Sequence, residues 1–398
     1  MTMKYDFETL PDRSGSTAEK FYNMRKLNPQ VDSQILPFSV ADMDFLPPPE
    51  LIEGLQSYIG NTIFGYTLPW DSYYDAVLGW IKQRHGISIS KEWILDVDNV
   101  IAALRQMICA FTRPEDGIVV MTPAYPAFLS SVAATGRRLE ACPLKLEENG
   151  YSIDFELLEQ LCAREDVSLL IFCNPHNPIG RLWTEEELLQ IADICLQNGV
   201  FVVSDEIHWD LIFPDYTFST MYSLEEKYQR NCAVSTSYTK TFNMAALKGA
   251  TVIMRDEKRR AQFEQLDLVS GRDVISYAAC EIAYTRCESW LDELLQVLAS
   301  NRKLMKEYFE REIPEVGVIS HQATYLQWLD FRFLHMNPRE QEHFMAYEAQ
   351  CFFTEGYKFG PGGEGFERWN IACPQDVLFQ GLERMKQAVN RWKKQYRK

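Results

Sequence analysis

A single lysine, Lys240, lies within a run of hydroxyl side chains that follows a short apolar segment. The run is Ser235-Thr236-Ser237-Tyr238-Thr239-Lys240-Thr241, and Cys232-Ala233-Val234 precedes it. A lysine amine can form a Schiff base with an aldehyde, and nearby hydroxyl and main-chain N–H groups can hold a phosphate. The run therefore suits pyridoxal phosphate, although such a run taken alone is more often an ordinary solvated turn.

Other apolar runs of the chain also end in polar or aromatic side chains. Each run is short and continuous, which is typical of a buried strand, and ligands of α/β sheets bind at the carboxyl ends of the strands. Taken singly, Asp205 could cap the following turn, Asn177 could be an Asx-turn residue before Pro178, and Arg368 further along could be a surface salt-bridge partner. The runs are residues 118–121, 168–173 and 200–203, and the side chains that follow them are Tyr125, Asn177, Asp205 and His208.

Helices are predicted between these strands. Asp98 or Asn99 caps a helix that runs to about Phe111, and the free N–H groups at such a start can hold a phosphate, although every helix has such a start. Thr184 caps a second helix. Strands that alternate with amphipathic helices indicate an α/β fold with a largely parallel sheet. Further helices are predicted near Glu50, from 255 to about 305 as one long connection into a second lobe, and from about 375.

Two non-helical segments precede the first predicted strand. Residues 1–34 are polar with little periodicity. Residues 35–45, which include Ala41, resemble an extended arm that ends at Pro47-Pro48-Pro49, and we expect this arm to edge an active site. Tyr66 lies in a predicted loop before Pro69, where a half-buried surface aromatic is the ordinary interpretation.

Composition limits the classes of function. The chain has 398 residues, of which 46% are hydrophobic, enough for one large core and a second lobe. Its 40 basic and 56 acidic residues give a net charge of −16, which disfavours nucleic acid or an anionic membrane as a partner. With no secretory signal and no membrane-length apolar run, we expect a cytoplasmic protein. The ten cysteines show no metal-like spacing, so we expect no metal.

Several motifs in order resemble one family across almost the whole chain. The chain resembles fold-type-I pyridoxal phosphate enzymes of the class I/II aminotransferase superfamily, and within it the MalY/PatB-type cystathionine β-lyases (C–S lyases). The motifs are Val40-Ala41-Asp42-Met43-Asp44-Phe45, Phe64-Gly65-Tyr66-Thr67, Asn174-Pro175-His176-Asn177-Pro178, Ser204-Asp205-Glu206-Ile207-His208, Lys240-Thr241-Phe242-Asn243, Thr324-Tyr325-Leu326 and Arg368-Trp369-Asn370-Ile371-Ala372-Cys373-Pro374.

The resemblance implies a fold and an activity. The fold would be that of aspartate aminotransferase, with a mostly parallel sheet of the seven-stranded type in a large domain and a smaller α+β domain. The expected division is residues 1–48 for an arm and part of the small domain, 49–288 for the large domain and 289–398 for the small domain. The activity would be C–S β-elimination on L-cystathionine or a related cysteine conjugate. Alternatives are an aminotransferase, and a lyase with an added regulatory protein-binding role.

The resemblance also implies roles for single residues. Lys240 would carry the cofactor and move the Cα proton, with Asp205 at the ring nitrogen. Arg368 would clamp the substrate carboxylate beside Ala41. If Tyr66 reaches the cofactor phosphate of a second subunit, the active unit is at least a homodimer. Asn177 and His208 would contact the ring oxygen of the cofactor, Asn177 would also face the substrate, and Tyr125 would stack on the ring. The residues at the cofactor phosphate would be Val100, Ile101, Ser237, Thr239 and Lys248.

Three segments depart from the family pattern. Asn99 stands where relatives commonly have glycine, Gln322-Ala323 replaces the usual glycine before Thr324, and Tyr238-Thr239 replaces proline and serine before the lysine. Thr239 keeps the hydroxyl. Tyr238 is bulkier than proline, which leaves the shape of the phosphate cup open.

Overall fold

The computed structural model of the chain describes residues 3–13, 15–148, 150–268 and 271–396. The helices are α1 (Glu19–Leu27), α2 (Pro49–Asn61), α3 (Asp71–His85), α4 (Val100–Phe111), α5 (Pro126–Ala134), α6 (Phe155–Cys162), α7 (Glu185–Gln197), α8 (Glu226–Arg230), α9 (Tyr238–Thr241), α10 (Glu257–Leu266), α11 (Val274–Arg286), α12 (Glu288–Glu312), α13 (Pro338–His343) and α14 (Gln375–Tyr396). The strands are β1 (Ile94–Val97), β2 (Gly117–Thr122), β3 (Arg138–Pro143), β4 (Lys145–Glu147), β5 (Gly150–Ser152), β6 (Val167–Cys173), β7 (Phe201–Asp205), β8 (Cys232–Thr236), β9 (Ala250–Met254), β10 (Gly317–Val318), β11 (Leu326–Asp330), β12 (Thr354–Glu355) and β13 (Phe366–Asn370).

A seven-stranded sheet forms the centre of the larger part of the molecule. Its strand order is β1-β9-β8-β7-β6-β2-β3, and β9 runs antiparallel to both of its neighbours. The pairs β2–β3, β2–β6, β6–β7 and β7–β8 are parallel. Continuous apolar runs form these strands because a parallel sheet is buried on both faces. The predicted α/β fold with its mostly parallel sheet is confirmed.

A second, antiparallel sheet lies in the C-terminal part of the chain. Its order is β10-β11-β13-β12, and helices α12 and α14 pack against each other in the same part of the structure. This smaller α+β unit was also predicted. The division at residues 48/49 and 288/289 stays a prediction.

Helix capping follows the predicted residues. The side chain of Asn99 accepts from the N–H of Ala102 at 2.7 Å. Thr184 and Glu187 form a reciprocal capping box at the start of α7. These local signals set where α4 and α7 begin. Among the described segments, no helix combines the length and apolar character needed to cross a membrane.

Two parts of the chain differ from the prediction. Helix α1 lies in the N-terminal segment for which no element was predicted. The segment predicted as one helical connection contains three helices, α10, α11 and α12, and α11 packs on α2 and α3. Gly54 permits this packing, since a Cβ atom there would lie 2.9 Å from Ile282.

Candidate active site

Lys240 lies on the short helix α9, which begins directly after strand β8. Ser237 caps this helix: its Oγ accepts from the N–H of Thr239 at 3.1 Å and donates to the main-chain oxygen of Gly249 at 2.6 Å. The Lys240 Nζ atom donates to the main-chain oxygen of Ala41 at 2.7 Å. The predicted arm therefore does edge the site, because Ala41 contacts the lysine directly.

A cavity of about 190 Å³ surrounds the lysine at the carboxyl ends of the strands. Its walls come from the arm, the start of α4, the ends of β6 and β7, and the segment around α9. Eleven of the thirteen predicted site residues line this cofactor pocket: Ala41, Val100, Ile101, Tyr125, Asn177, Asp205, His208, Ser237, Thr239, Lys240 and Lys248.

The acid at the end of β7 is held in a dry environment. Asp205 is 6% exposed, and its Oδ1 accepts from the N–H of Ile207 at 3.1 Å. Burial raises the pKa of Asp205 to about 7, against the opposing effects of the Ile207 N–H and of Lys240. A cation placed against this carboxylate would favour its charged form. Asp205 is therefore suited to bind the protonated nitrogen of a pyridine ring.

His208 and Asn177 line the same pocket. Burial lowers the pKa of His208 to about 3, helped by Lys240 and Arg368, so the imidazole is neutral. Its Nδ1 atom is buried and has no hydrogen-bond partner among the described residues. Because His208 lines the pocket, this nitrogen is available to a ligand atom placed there. Asn177 accepts from Arg368 through Oδ1 at 2.9 Å.

The amino end of α4 provides an anion cradle. Asn99 caps Ala102, and Val100 and Ile101 line the pocket beside it, where N–H groups at a helix start favour a phosphate. Ser237, Thr239 and Lys248 line the same pocket. The pocket lining therefore includes a helix start, two hydroxyl residues and one lysine besides Lys240, which are groups that can hold a phosphate.

Tyr238 is not among the residues that line the pocket. The Tyr238 side chain is fully buried and points toward α11, where its hydroxyl lies 3.1 Å from Ser276 Oγ and 3.2 Å from the Lys248 oxygen. The chain passes closely behind it, since a Cβ on Gly249 would lie 2.1 Å from Ser276 Oγ. The bulk of Tyr238 therefore fills the core and leaves the pocket open.

Two predicted residues lie outside the cofactor pocket. Arg368 lines a larger adjoining cavity of about 850 Å³, which shares Ala41, Tyr125 and Lys240 with the pocket. Its guanidinium donates to Asn177 at 2.9 Å and to Thr354 Oγ1 at 3.2 Å, and its buried Nε has no partner in the described structure. Burial lowers the pKa of Arg368 to about 10, so it stays cationic at neutral pH.

Tyr66 is fully exposed in the single chain and lines neither cavity. The structure therefore does not bring Tyr66 to the Lys240 of its own chain.

Sequence reasoning missed the residues that hold the arm. The Tyr325 hydroxyl donates to the Ala41 oxygen at 2.9 Å, and Asn370 Nδ2 donates to the Asp42 oxygen at 2.6 Å. Lys20, which is 0% exposed, pairs with Asp42 at 2.8 Å and with Asp44 at 2.7 Å. Tyr325 and Asn370 belong to quoted motifs, whereas nothing in the sequence around Lys20 indicates a buried lysine.

Comparison with known proteins places the chain among relatives of similar length. The family model described as aminotransferase class I and II matches residues 33–384. The chain belongs to the class I and II aminotransferase family. It is 36% identical to cystathionine β-lyase PatB of Bacillus subtilis (strain 168), over 97% of this chain and 100% of that protein. It is 29% identical to the protein MalY of Escherichia coli (strain K12), over 97% and 99%.

Solved structures of the family extend this likeness. Cystalysin from Treponema denticola, whose crystal structure contains pyridoxal 5′-phosphate, superposes with a TM-score of 0.96 at 40% identity, over 98% of this chain and 100% of that chain. In the present chain, the unpartnered His208 nitrogen, the buried Asp205 carboxylate and the helix start at Val100 suit the ring oxygen, ring nitrogen and phosphate of this cofactor. The residues present therefore fit the group.

Proposed function

We propose that the chain is a pyridoxal-phosphate-dependent C–S β-lyase that converts L-cystathionine or related cysteine S-conjugates to a thiol, pyruvate and ammonia. The observation that carries the proposal is full-length likeness to PatB, combined with a pocket in which Lys240 and Asp205 face one cavity. When bound, pyridoxal phosphate supplies an aldehyde and an electron-accepting ring that stabilises negative charge at the Cα atom of an amino acid.

Lys240 acts as the base that takes the Cα proton. Burial lowers its pKa to about 8, helped by Arg368 and opposed by Asp42, Asp205 and Glu19. A lysine with this pKa is partly neutral near physiological pH and can accept a proton, which an ordinary lysine does poorly. The Ala41 oxygen, 2.7 Å from Nζ, accepts from the ammonium group that results.

Arg368 orients the substrate through its carboxylate. A planar guanidinium forms two parallel hydrogen bonds with a carboxylate, and Asn177 and Thr354 hold this guanidinium in place. Asp205 keeps a proton on the ring nitrogen when its own carboxylate is charged. The Cα–H and Cβ–S bonds then break, the thiolate leaves with the electron pair, and water converts the three-carbon fragment to pyruvate and ammonia.

The active unit is a homodimer in which Tyr66 of one subunit reaches the phosphate end of the other subunit's pocket. Tyr66 lies on an exposed segment with apolar neighbours at Ile63, Phe64 and Leu68, which are 89%, 59% and 85% exposed. An exposed apolar group of this kind marks an interaction surface. The enzyme is cytoplasmic, and its partners besides a second copy are small amino acids.

Transamination is the second candidate, because Lys240 could serve as the proton carrier of that reaction too and because relatives named aminotransferases also match most of the chain. The deciding experiment supplies the holoenzyme with L-cystathionine and no keto acid. Equal release of thiol, pyruvate and ammonia supports β-elimination. No release, with loss of the cofactor's visible absorbance until a keto acid is added, would replace the lyase by an aminotransferase.

A further inference from the structure

The larger cavity has an outer wall that the reaction chemistry leaves unused. This cavity opens onto the reaction centre through Ala41, Tyr125 and Lys240, and Arg368 lines its inner side. Its volume of about 850 Å³ lies within the range of small-molecule sites. Helix α1 forms part of the outer wall, so a substrate held by Arg368 has room to extend toward this helix.

Three polar residues of α1 line the cavity: Glu19, Asn23 and Lys26, which we call the α1 face. Their spacing of four and then three residues puts them in one row on the helix. With a rise of about 1.5 Å per residue, the row spans roughly 10 Å. Phe21, on the other side of α1, is buried in the core. The row therefore presents a carboxylate, an amide and an ammonium to the cavity in that order.

The α1 face is free to bind a ligand. None of its side chains forms a hydrogen bond or an ion pair with another residue that the structure describes. Two other charged groups of the cavity wall are already in ion pairs. Asp42 pairs with Arg13 and Lys20, and Lys358 pairs with Glu355.

We propose that the α1 face binds the leaving-group half of the substrate when that half is itself an amino-acid zwitterion. Glu19 binds the distal ammonium, Lys26 binds the distal carboxylate, and Asn23 lies between them. This inference rests on the proposed β-lyase function. In L-cystathionine the distal zwitterion lies beyond the sulfur atom, on the side away from the carboxylate that Arg368 binds, and the cavity that Arg368 lines is also lined by the α1 face.

Electrostatics connect the α1 face to the reaction centre. Glu19 is among the groups that raise the pKa of Lys240, opposing the effect of burial, and it also raises the pKa of Tyr125. The order of charges has a structural explanation as well, because an acid at the start and a base at the end of a helix stabilise it. A purely structural role would affect all substrates alike, so the test compares substrates.

The test uses four cysteine thioethers with the holoenzyme. L-cystathionine carries both distal charges, S-(3-aminopropyl)-L-cysteine only the ammonium, S-(3-carboxypropyl)-L-cysteine only the carboxylate, and S-butyl-L-cysteine neither. Thiol release gives kcat and KM for wild type, Glu19→Gln and Lys26→Gln. Glu165→Gln and Lys258→Gln are matched controls, since both residues are exposed and line neither cavity.

We expect each variant to lose activity only on substrates with its matching charge. Glu19→Gln raises KM about fivefold for L-cystathionine and the aminopropyl compound, the effect of one exposed ion pair, and leaves the other two within twofold. Lys26→Gln does the same for L-cystathionine and the carboxypropyl compound. The controls and the cofactor's visible absorbance stay unchanged.

Two results would contradict the inference, and they differ. If the variants lost activity equally on all four compounds, or on none, the proposed role of the α1 face would be refuted. The proposed lyase activity would be unaffected by that result. No thiol release from any compound by wild-type holoenzyme would refute the proposed function, and the inference with it.

Discussion

The Lys240 ammonium donates a 2.7 Å hydrogen bond to the Ala41 oxygen, across 199 positions of sequence. The arm that carries this oxygen is itself fixed by side chains. Asn370 Nδ2 donates to the Val40 oxygen at 2.9 Å, and Val40 has a φ of 55°, a left-handed conformation that β-branched residues rarely adopt. The acceptor of the lysine is therefore held in one place by the C-terminal sheet.

The protonation of Lys240 makes the stability of the cofactor-free protein depend on pH. Its pKa is about 8 in the folded chain against an ordinary 10.5, so between these values the unfolded chain binds the extra proton. Stability contributed by Lys240 is therefore lost as pH falls through 8 and is fully present above 10.5. The two pKa values differ by the equivalent of about 3 kcal/mol, an upper bound for a partly accessible side chain.

Urea unfolding of the cofactor-free protein tests this from pH 7 to pH 11. The free energy of unfolding of wild type minus that of Lys240→Met should rise with pH across the window from 8 to 10.5. Lys258→Met, on the surface of α10, should show no such rise. A difference that stays flat would mean that Lys240 titrates normally.

Replacing Asp205 by asparagine should separate cofactor binding from turnover. The amide keeps the shape of the side chain but cannot hold a positive charge on the ring nitrogen. We expect kcat to fall at least about 100-fold, the typical loss when a group that stabilises developing charge is removed. The cofactor should remain bound because the substitution leaves Lys240 and the proposed phosphate contacts at Val100 and Ser237 unchanged. Retention of half the wild-type kcat would remove Asp205 from the mechanism.

The central sheet and most pocket residues could be predicted because their signals are local. An apolar run followed by a polar residue marks a buried strand and its carboxyl end, and Asn99 and Thr184 mark helix starts through their own side chains. Asp205, Asn177 and Lys240 meet because parallel strands end at one edge. The family resemblance added their roles.

The parts that could not be predicted depend on distant contacts. Helix α1 is a short helix with four charged residues among its nine, and it is fixed by Lys20 pairing with Asp42 and Asp44. A lysine is normally exposed, so its burial is visible only once the arm is in place. The packing of α11 on α2 likewise depends on the absence of a side chain at Gly54, where Ile282 of α11 approaches closely. Helical periodicity does not reveal this contact.

Replacing Arg368 by lysine should weaken substrate binding although the charge is kept. An ammonium cannot form the two parallel hydrogen bonds of a guanidinium, and it also loses the contacts with Asn177 and Thr354. We expect kcat/KM to fall about 100-fold, mainly through KM. Arg332→Lys, on the surface beside Asp330, should stay within twofold of wild type. An unchanged KM would place the carboxylate site elsewhere.

Tyr66 should act across the dimer, and mixed dimers can test this. Its exposed position in the single chain leaves a second subunit as the route to a pocket. Tyr66→Ala and Lys240→Ala homodimers should both be nearly inactive, the first through weak cofactor binding and the second through loss of the base. After subunit exchange, half of the dimers contain one subunit of each kind, and each of these has one site with both residues intact. We expect about a quarter of wild-type activity to return. If Tyr66 acted within its own chain, no mixed dimer would contain an intact site and mixing would restore nothing.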